Sequence, residues 1–202
     1  TKVSKLASDR IETVGPISTN AYSGGFYDSV SGAKISDLNP LIWHYTDEIR
    51  ELNFNIIGSL DVDTANIGDE ETRNVLDITS GSGTTGLSID VSASEIIGLN
   101  PTLNFDLHVV SKKPSANSLL VSMISENGDQ GSKEYNFADL AVGEWVNFSI
   151  PIDDLVTNTS LDVKHVTSLM HLMIEGEANF YLENVSIKCV NSESCIQGPF
   201  SL

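Results

Sequence analysis

Apolar and polar residues alternate strictly along much of the chain. In TLNFDLHVV (102–110), Leu103, Phe105, Leu107 and Val109 share one side, opposite Asn104, Asp106 and His108. GLSIDV (86–91) sets Leu87, Ile89 and Val91 against Ser88 and Asp90, and WVNFSIPI (145–152) aligns Val146, Phe148, Ile150 and Ile152. FYLENVSI (180–187) follows the same rule less strictly. Successive side chains of a strand point to opposite faces, so a period of two predicts one face on a core and the other toward solvent or ligand. Further strands are expected at 40–45, 54–62, 73–78, 118–125, 133–138 and 166–174. About ten such runs, separated by turn residues, predict an all-β fold, an antiparallel two-sheet β-sandwich or jelly roll. TDEIRELN (46–53) reads as a short helix and IDDLV (152–156) as one helical turn, while SGSGTTG (80–86) and ENGDQGS (126–132) read as loops. Residues 1–25 read as an irregular lead-in, 26–190 as a single jelly-roll domain and 191–202 as a C-terminal tail.

Composition narrows the function. The chain has 202 residues, of which 40% are hydrophobic. A chain of this length buries a full core without metal or disulfide staples. No stretch approaches the roughly 18–20 apolar residues of a membrane helix, so no membrane insertion is expected. Eleven basic against 28 acidic residues give a net charge of -17. Such a chain is repelled by phosphate backbones and anionic lipid, which excludes nucleic acid as a partner. With only Arg10, Arg50 and Arg73, it has too few guanidinium groups for a multiple anion clamp. Cys189 and Cys195 enclose VNSES, a spacing without partner ligands for zinc. They read as a local disulfide of an oxidising compartment, the alternative being two free thiols.

Enzymatic signatures are missing. There is no Gly-x-Ser-x-Gly elbow, no His-Glu-x-x-His and no phosphate-cradling glycine loop. A glycoside hydrolase needs two carboxylates roughly 5–9 Å apart, and acidic residues abound, so a small jelly-roll hydrolase or lyase is the rival reading. No Glu-x-Asp-x-x-Glu or YFKAG-type pattern supports it. DVDTANIGDEET (61–72) opens like a calcium-binding EF-hand loop but places Ala65, Asn66 and Thr72 where ligands, glycine and a bidentate Glu belong. It reads as a solvated acidic loop.

Sugar recognition combines aromatic rings for C–H faces with polar side chains for hydroxyls. Trp43-His44-Tyr45 is dense in such groups. Trp43 and Tyr45 project from one face of an extended segment, as a stacking platform or as a roof over one end of the core. Asn104, Asp106 and His108 form a polar strand face that would align with Ser88, Asp90 and His171 if those strands pair. That face is either glycan-accepting or simply solvated. Trp145 reads as structural, packed over the end of the sandwich. N-x-S/T triplets stand at Asn147, Asn158 and Asn184, two of them inside expected strands.

The order LNPTLNFDLHVV, SLLVSMIS, LAVGEWVNFSIPIDDL, DVKHVTSLMHLMIEGEANFYLENVSI resembles the galactose-binding-like β-sandwich domains of carbohydrate-active enzymes. It is similar to the C-terminal domain of ExoP-type exo-β-glucanases. The matching segments are Leu103–Asp106, Gly143–Ile152 and Tyr181–Ile187, with Ile152 where those domains carry Leu. The resemblance covers roughly residues 98–188; the first forty residues and the Cys189–Cys195 tail match nothing in it. It implies a non-catalytic carbohydrate-binding module that binds polysaccharide or oligosaccharide. Such a module is a monomer, covalently linked to a catalytic domain in a larger secreted bacterial protein. By position it also implies a structural calcium held by Glu183 with Asp28. The expected glycan-binding residues are Trp43, Tyr45, Asn104, Asp106 and His108. A third reading is a structural or adhesion sandwich without a glycan site.

Overall fold

A computed structural model describes residues 17–22, 41–45, 48–67, 73–190 and 195–197. In chain order its strands are β1 (Ile17–Tyr22), β2 (Leu41–Tyr45), β3 (Glu48–Ile57), β4 (Leu60–Ile67), β5 (Arg73–Ser80) and β6 (Thr84–Ile96). There follow β7 (Leu99–Lys112), β8 (Ser118–Ser125), β9 (Gln130–Asn136), β10 (Trp145–Pro151), β11 (Val166–Glu175), β12 (Ala178–Val190) and β13 (Ile196–Gln197). One helical turn, α1 (Ile152–Val156), follows β10.

The strands form two antiparallel sheets. The first has the order β10-β7-β12-β5-β4, with β1 beside the second half of β12. The second has the order β2-β3-β6-β11-β8-β9, with β13 on β6. The chain crosses between layers at almost every connection from β5 onward. Strands β6 and β7 are separated only by Ile97 and Gly98, yet they belong to opposite sheets. Gly98 supplies a positive φ of 89° at that corner, a conformation open to glycine.

Alternation explains the packing. Leu103, Phe105, Leu107 and Val109 of β7 face inward with at most 1% of their surface exposed. Leu87 and Ile89 of β6, Leu119, Val121 and Met123 of β8, and Leu172 and Ile174 of β11 face them from the other layer. Each such side chain contributes about 1.5–3 kcal/mol by leaving water. Phe148 of β10 stacks on Phe105 at 4.7 Å and meets Tyr135 of β9 edge-on at 4.9 Å, which ties the two layers together.

Four segments differ from expectation. Residues 46–53 were expected to be helical, but Glu48–Ile57 is strand β3. Pairing with β2 on one side and β6 on the other outweighs the local helix preference of its charged residues. The run 54–62 is two strands, because Gly58 turns the chain at a φ of 71°. The acidic run 61–72 is not a loop in its first part: Asp61 and Asp63 point outward from β4 while Val62 packs on the core. The lead-in contains β1. The pairing of β5 with β12 spans only Asn179–Leu182, and β1 covers the rest of that edge, from Val185 to Cys189. An open edge left there would be free to pair with other chains.

Cys189 and Cys195 are disulfide-bonded, with Cα atoms 5.6 Å apart. Cys189 belongs to β12 of the first sheet and Cys195 adjoins β13 of the second, so the bond staples the layers inside the core.

Gly176 joins β11 to β12 at a φ of 93°, and a Cβ there would lie 1.9 Å from the carbonyl oxygen of Ser115. Gly176→Ala is predicted to cost about 2–4 kcal/mol of stability, from strain plus backbone displacement. A urea midpoint unchanged by the substitution would contradict this.

Candidate functional site

Each sheet turns one polar face outward, and the two faces differ in chemistry. On the first sheet the register sets Trp145 opposite His108, His108 opposite Tyr181, and Tyr181 opposite Asp77. The three rings contact one another, at 5.1 Å from Trp145 to His108 and 5.6 Å from His108 to Tyr181. The His108 and Tyr181 planes are 15° from parallel, so each ring covers the face of its neighbour. His108 thus packs between the rings of Trp145 and Tyr181. Trp145 therefore lies against the outer face of the sheet, not over the end of the sandwich. In the next row Asn147 Nδ2 donates to Asp106 Oδ1 at 2.7 Å, and Glu183 stands opposite Asp106 with 3% of its surface exposed.

The second sheet carries a groove of about 400 Å³. Asn55, Ser88, Asp90, Thr167, Ser168 and His171 supply its polar lining, and Ile57 and Ile124 its apolar part. The register lays out a polar row, of which Asn55, Ser88 and His171 line the groove. Asn55 of β3 lies opposite Ser88 of β6, Ser88 opposite His171 of β11, His171 opposite Ser122 of β8, and Ser122 opposite Ser132 of β9. This polar row crosses five adjacent strands, a span of about 19 Å at the usual strand spacing.

Hydrogen bonds organise the row. Ser88 Oγ donates to Asp90 Oδ1 at 2.5 Å, and Asn55 Nδ2 donates to Asp90 Oδ2. Ser168 Oγ lies 2.9 Å from Ser88 Oγ, and Ser122 Oγ lies 2.7 Å from Ser132 Oγ. The Nδ1 atom of His171 is buried without a hydrogen-bond partner. An N–H at that atom would be unsatisfied, so the neutral ring keeps its proton on Nε2. Burial holds the His171 pKa below the usual imidazole value, and the charge of Asp90 opposes this only in part.

The structure separates residues that the sequence grouped. Asp106 and His108 do not align with Ser88, Asp90 and His171, because β7 and β6 lie in opposite layers and their polar faces point away from each other. Asn104 shares the strand face of Asp106 but is 4% exposed, and its amide donates to the backbone carbonyl and the hydroxyl of Thr102. Trp43 and Tyr45 belong to β2, in the same sheet as the groove, paired with Arg50 and Glu48. Their side chains lie outside the described residues, as does Asp28. Among the described residues no three His, Cys, Asp or Glu side chains converge as a metal cluster. Glu183 is a buried carboxylate on β12. Sequence reasoning missed Asn55, Ser168 and Ser122. Each is a polar position on an apolar-alternating strand, and only strand order shows that they share one face of the sheet.

Solved structures share this arrangement of sheets. A family 11 carbohydrate-binding module from Clostridium thermocellum, in complex with a β-1,3-1,4-mixed-linked tetrasaccharide, matches with a TM-score of 0.50 at 14% identity, over 77% of this chain and 98% of that one. A family 30 carbohydrate-binding module matches with a TM-score of 0.51 at 12% identity, over 72% and 84%. An exo-beta-agarase matches with a TM-score of 0.53 at 13% identity, over 68% of this chain, which spans 23% of that enzyme. What these structures share with the chain is the fold, an antiparallel two-sheet β-sandwich. No protein-family model and no curated protein matches the chain.

In this fold His171 links stability to pH. The unfolded chain binds the proton near 6.5, whereas the folded chain binds it only at lower pH. Between those values the unfolded state holds more protons, so stability falls as pH falls through that window and is regained as pH rises. His171→Gln is predicted to remove this slope. Urea unfolding from about pH 7 to about pH 5 should show the wild type losing stability relative to the variant. A constant difference would contradict it.

Proposed function

We propose that the chain is a non-catalytic carbohydrate-binding module that holds a polysaccharide or oligosaccharide in the groove of the second sheet. The observation that carries this reading is the polar row Asn55–Ser88–His171, which lines the groove with Asp90 and Ser168 beside it and continues outside the groove to Ser122 and Ser132. Hydroxyls, an amide, an imidazole and a carboxylate recur at strand spacing along a groove that also offers Ile57 and Ile124 to C–H surfaces. Among the described residues that line the groove Asp90 is the one carboxylate, and glycoside hydrolysis ordinarily uses two. Trp43 and Tyr45, on β2 of this sheet, are assigned the stacking role. Asp106 and His108 lie on the other face and are not assigned to this groove.

Weak sites of this kind bind with about -5 to -7 kcal/mol, between millimolar and micromolar. Tethering to a catalytic domain of a larger protein turns such affinity into high local substrate concentration. The buried disulfide suits a secreted protein, and the module acts as a monomer. Glu183, with Asp28, is assigned to a structural calcium, since carboxylate oxygens are the hard ligands such an ion takes.

Asp90→Ala and Trp43→Ala are each predicted to reduce retardation in glycan-containing affinity gels at least tenfold, about 1.4 kcal/mol, with little change in melting temperature. A large fall in melting temperature for Trp43→Ala would place that ring in the core. For calcium, chelation with EDTA should lower the melting temperature and added calcium restore it, because a ligand bound only by the folded state stabilises that state. An identical melting curve in EDTA rejects the site.

A further inference from the structure

The charge pattern of the groove carries a statement about its ligand, which rests on the reading above. Among the described residues no lysine or arginine lines it. Ser88 has a single hydroxyl proton and gives it to Asp90 Oδ1. Ser168, 2.9 Å from Ser88 Oγ, is then the donor of that pair. Asn55 donates to Oδ2 of the same carboxylate. The donors of the floor therefore run toward Asp90, which is the acceptor end of the chain. A carboxylate has about four lone-pair sites, and these bonds occupy two. Sugar hydroxyls have protons to give the other two. A carboxylate or sulfate ester group has none, and on a uronate or sulfated residue it would bring a second negative charge beside Asp90 with no cation among the described lining residues to offset it. The net charge of -17 adds a field of the same sign.

We propose that the groove selects uncharged glycan chains and rejects uronic-acid and sulfated chains, with Asp90 as the discriminating residue. The purified chain is assayed by affinity electrophoresis at low salt against laminarin, mixed-linkage β-glucan, xyloglucan, galactomannan and agarose. Each polymer is tested beside its derivative oxidised to carboxylate at primary hydroxyls, and beside the methyl ester of that derivative. Alginate and κ-carrageenan complete the set. For each uncharged polymer that is retained, oxidation should weaken binding at least tenfold. Methyl esterification, which removes the charge but adds bulk, should restore it. Asp90→Asn should shrink the penalty of oxidation several-fold. Two results overturn the charge filter while leaving glycan binding intact: oxidised chains, alginate or carrageenan retained as strongly as uncharged ones, or an ester that stays as weak as the acid. Retention of none of these polymers overturns both the filter and the binding function. Because the ester comparison uses the wild-type chain, the test does not depend on the variant folding.

Discussion

Contact between the two inner apolar faces determines where every other side chain points. Leu103, Phe105 and Leu107 on one layer and Leu87, Ile89 and Leu172 on the other are fully removed from water. Once those residues are inside, a period of two leaves no freedom for their neighbours. Ser88, Asp90, His171 and Ser122 must face outward from one layer, and Asp106, His108, Asn147 and Tyr181 outward from the other. The polar surfaces are thus by-products of the core, and a one-residue slip in any central strand would bury a polar row and expose an apolar one.

The same constraint gives the two surfaces different characters. On the first sheet, aromatic rings meet across strands and close over one another. On the second, short hydroxyl and amide side chains leave a trough. Rings on adjacent strands fill the space above a sheet, whereas serines do not. Glycan recognition is assigned to the face where the side chains are small and the backbone floor is within reach, even though the other face holds more aromatic residues among those described.

The sequence made much of this legible. Strict alternation at 86–91 and 102–110 identified the inward and outward positions of β6 and β7, and both are as read. Alternation is a local property, however, and strand order is not. Asp90 and Asp106 look equivalent along the chain, each two residues from another polar position on an amphipathic strand. Only the corner at Ile97-Gly98 sends them to opposite sides of the molecule. The helix expected at 46–53 failed for a related reason: its charged residues favour a helix locally, while pairing partners far along the chain favour a strand. The groove, which needs β3, β6, β11 and β8 side by side, could not be assembled from any one segment.

The staple between Cys189 and Cys195 bears on how such a domain carries mechanical load. Tension entering the chain just beyond β13 loads that two-residue strand first and then reaches Cys195. With the sulfurs joined, the pull passes through a covalent link into β12, which is held by β7, β5 and β1 along its length. The molecule would then have to shear a central strand out of its sheet before yielding, a far stiffer response than unzipping an edge.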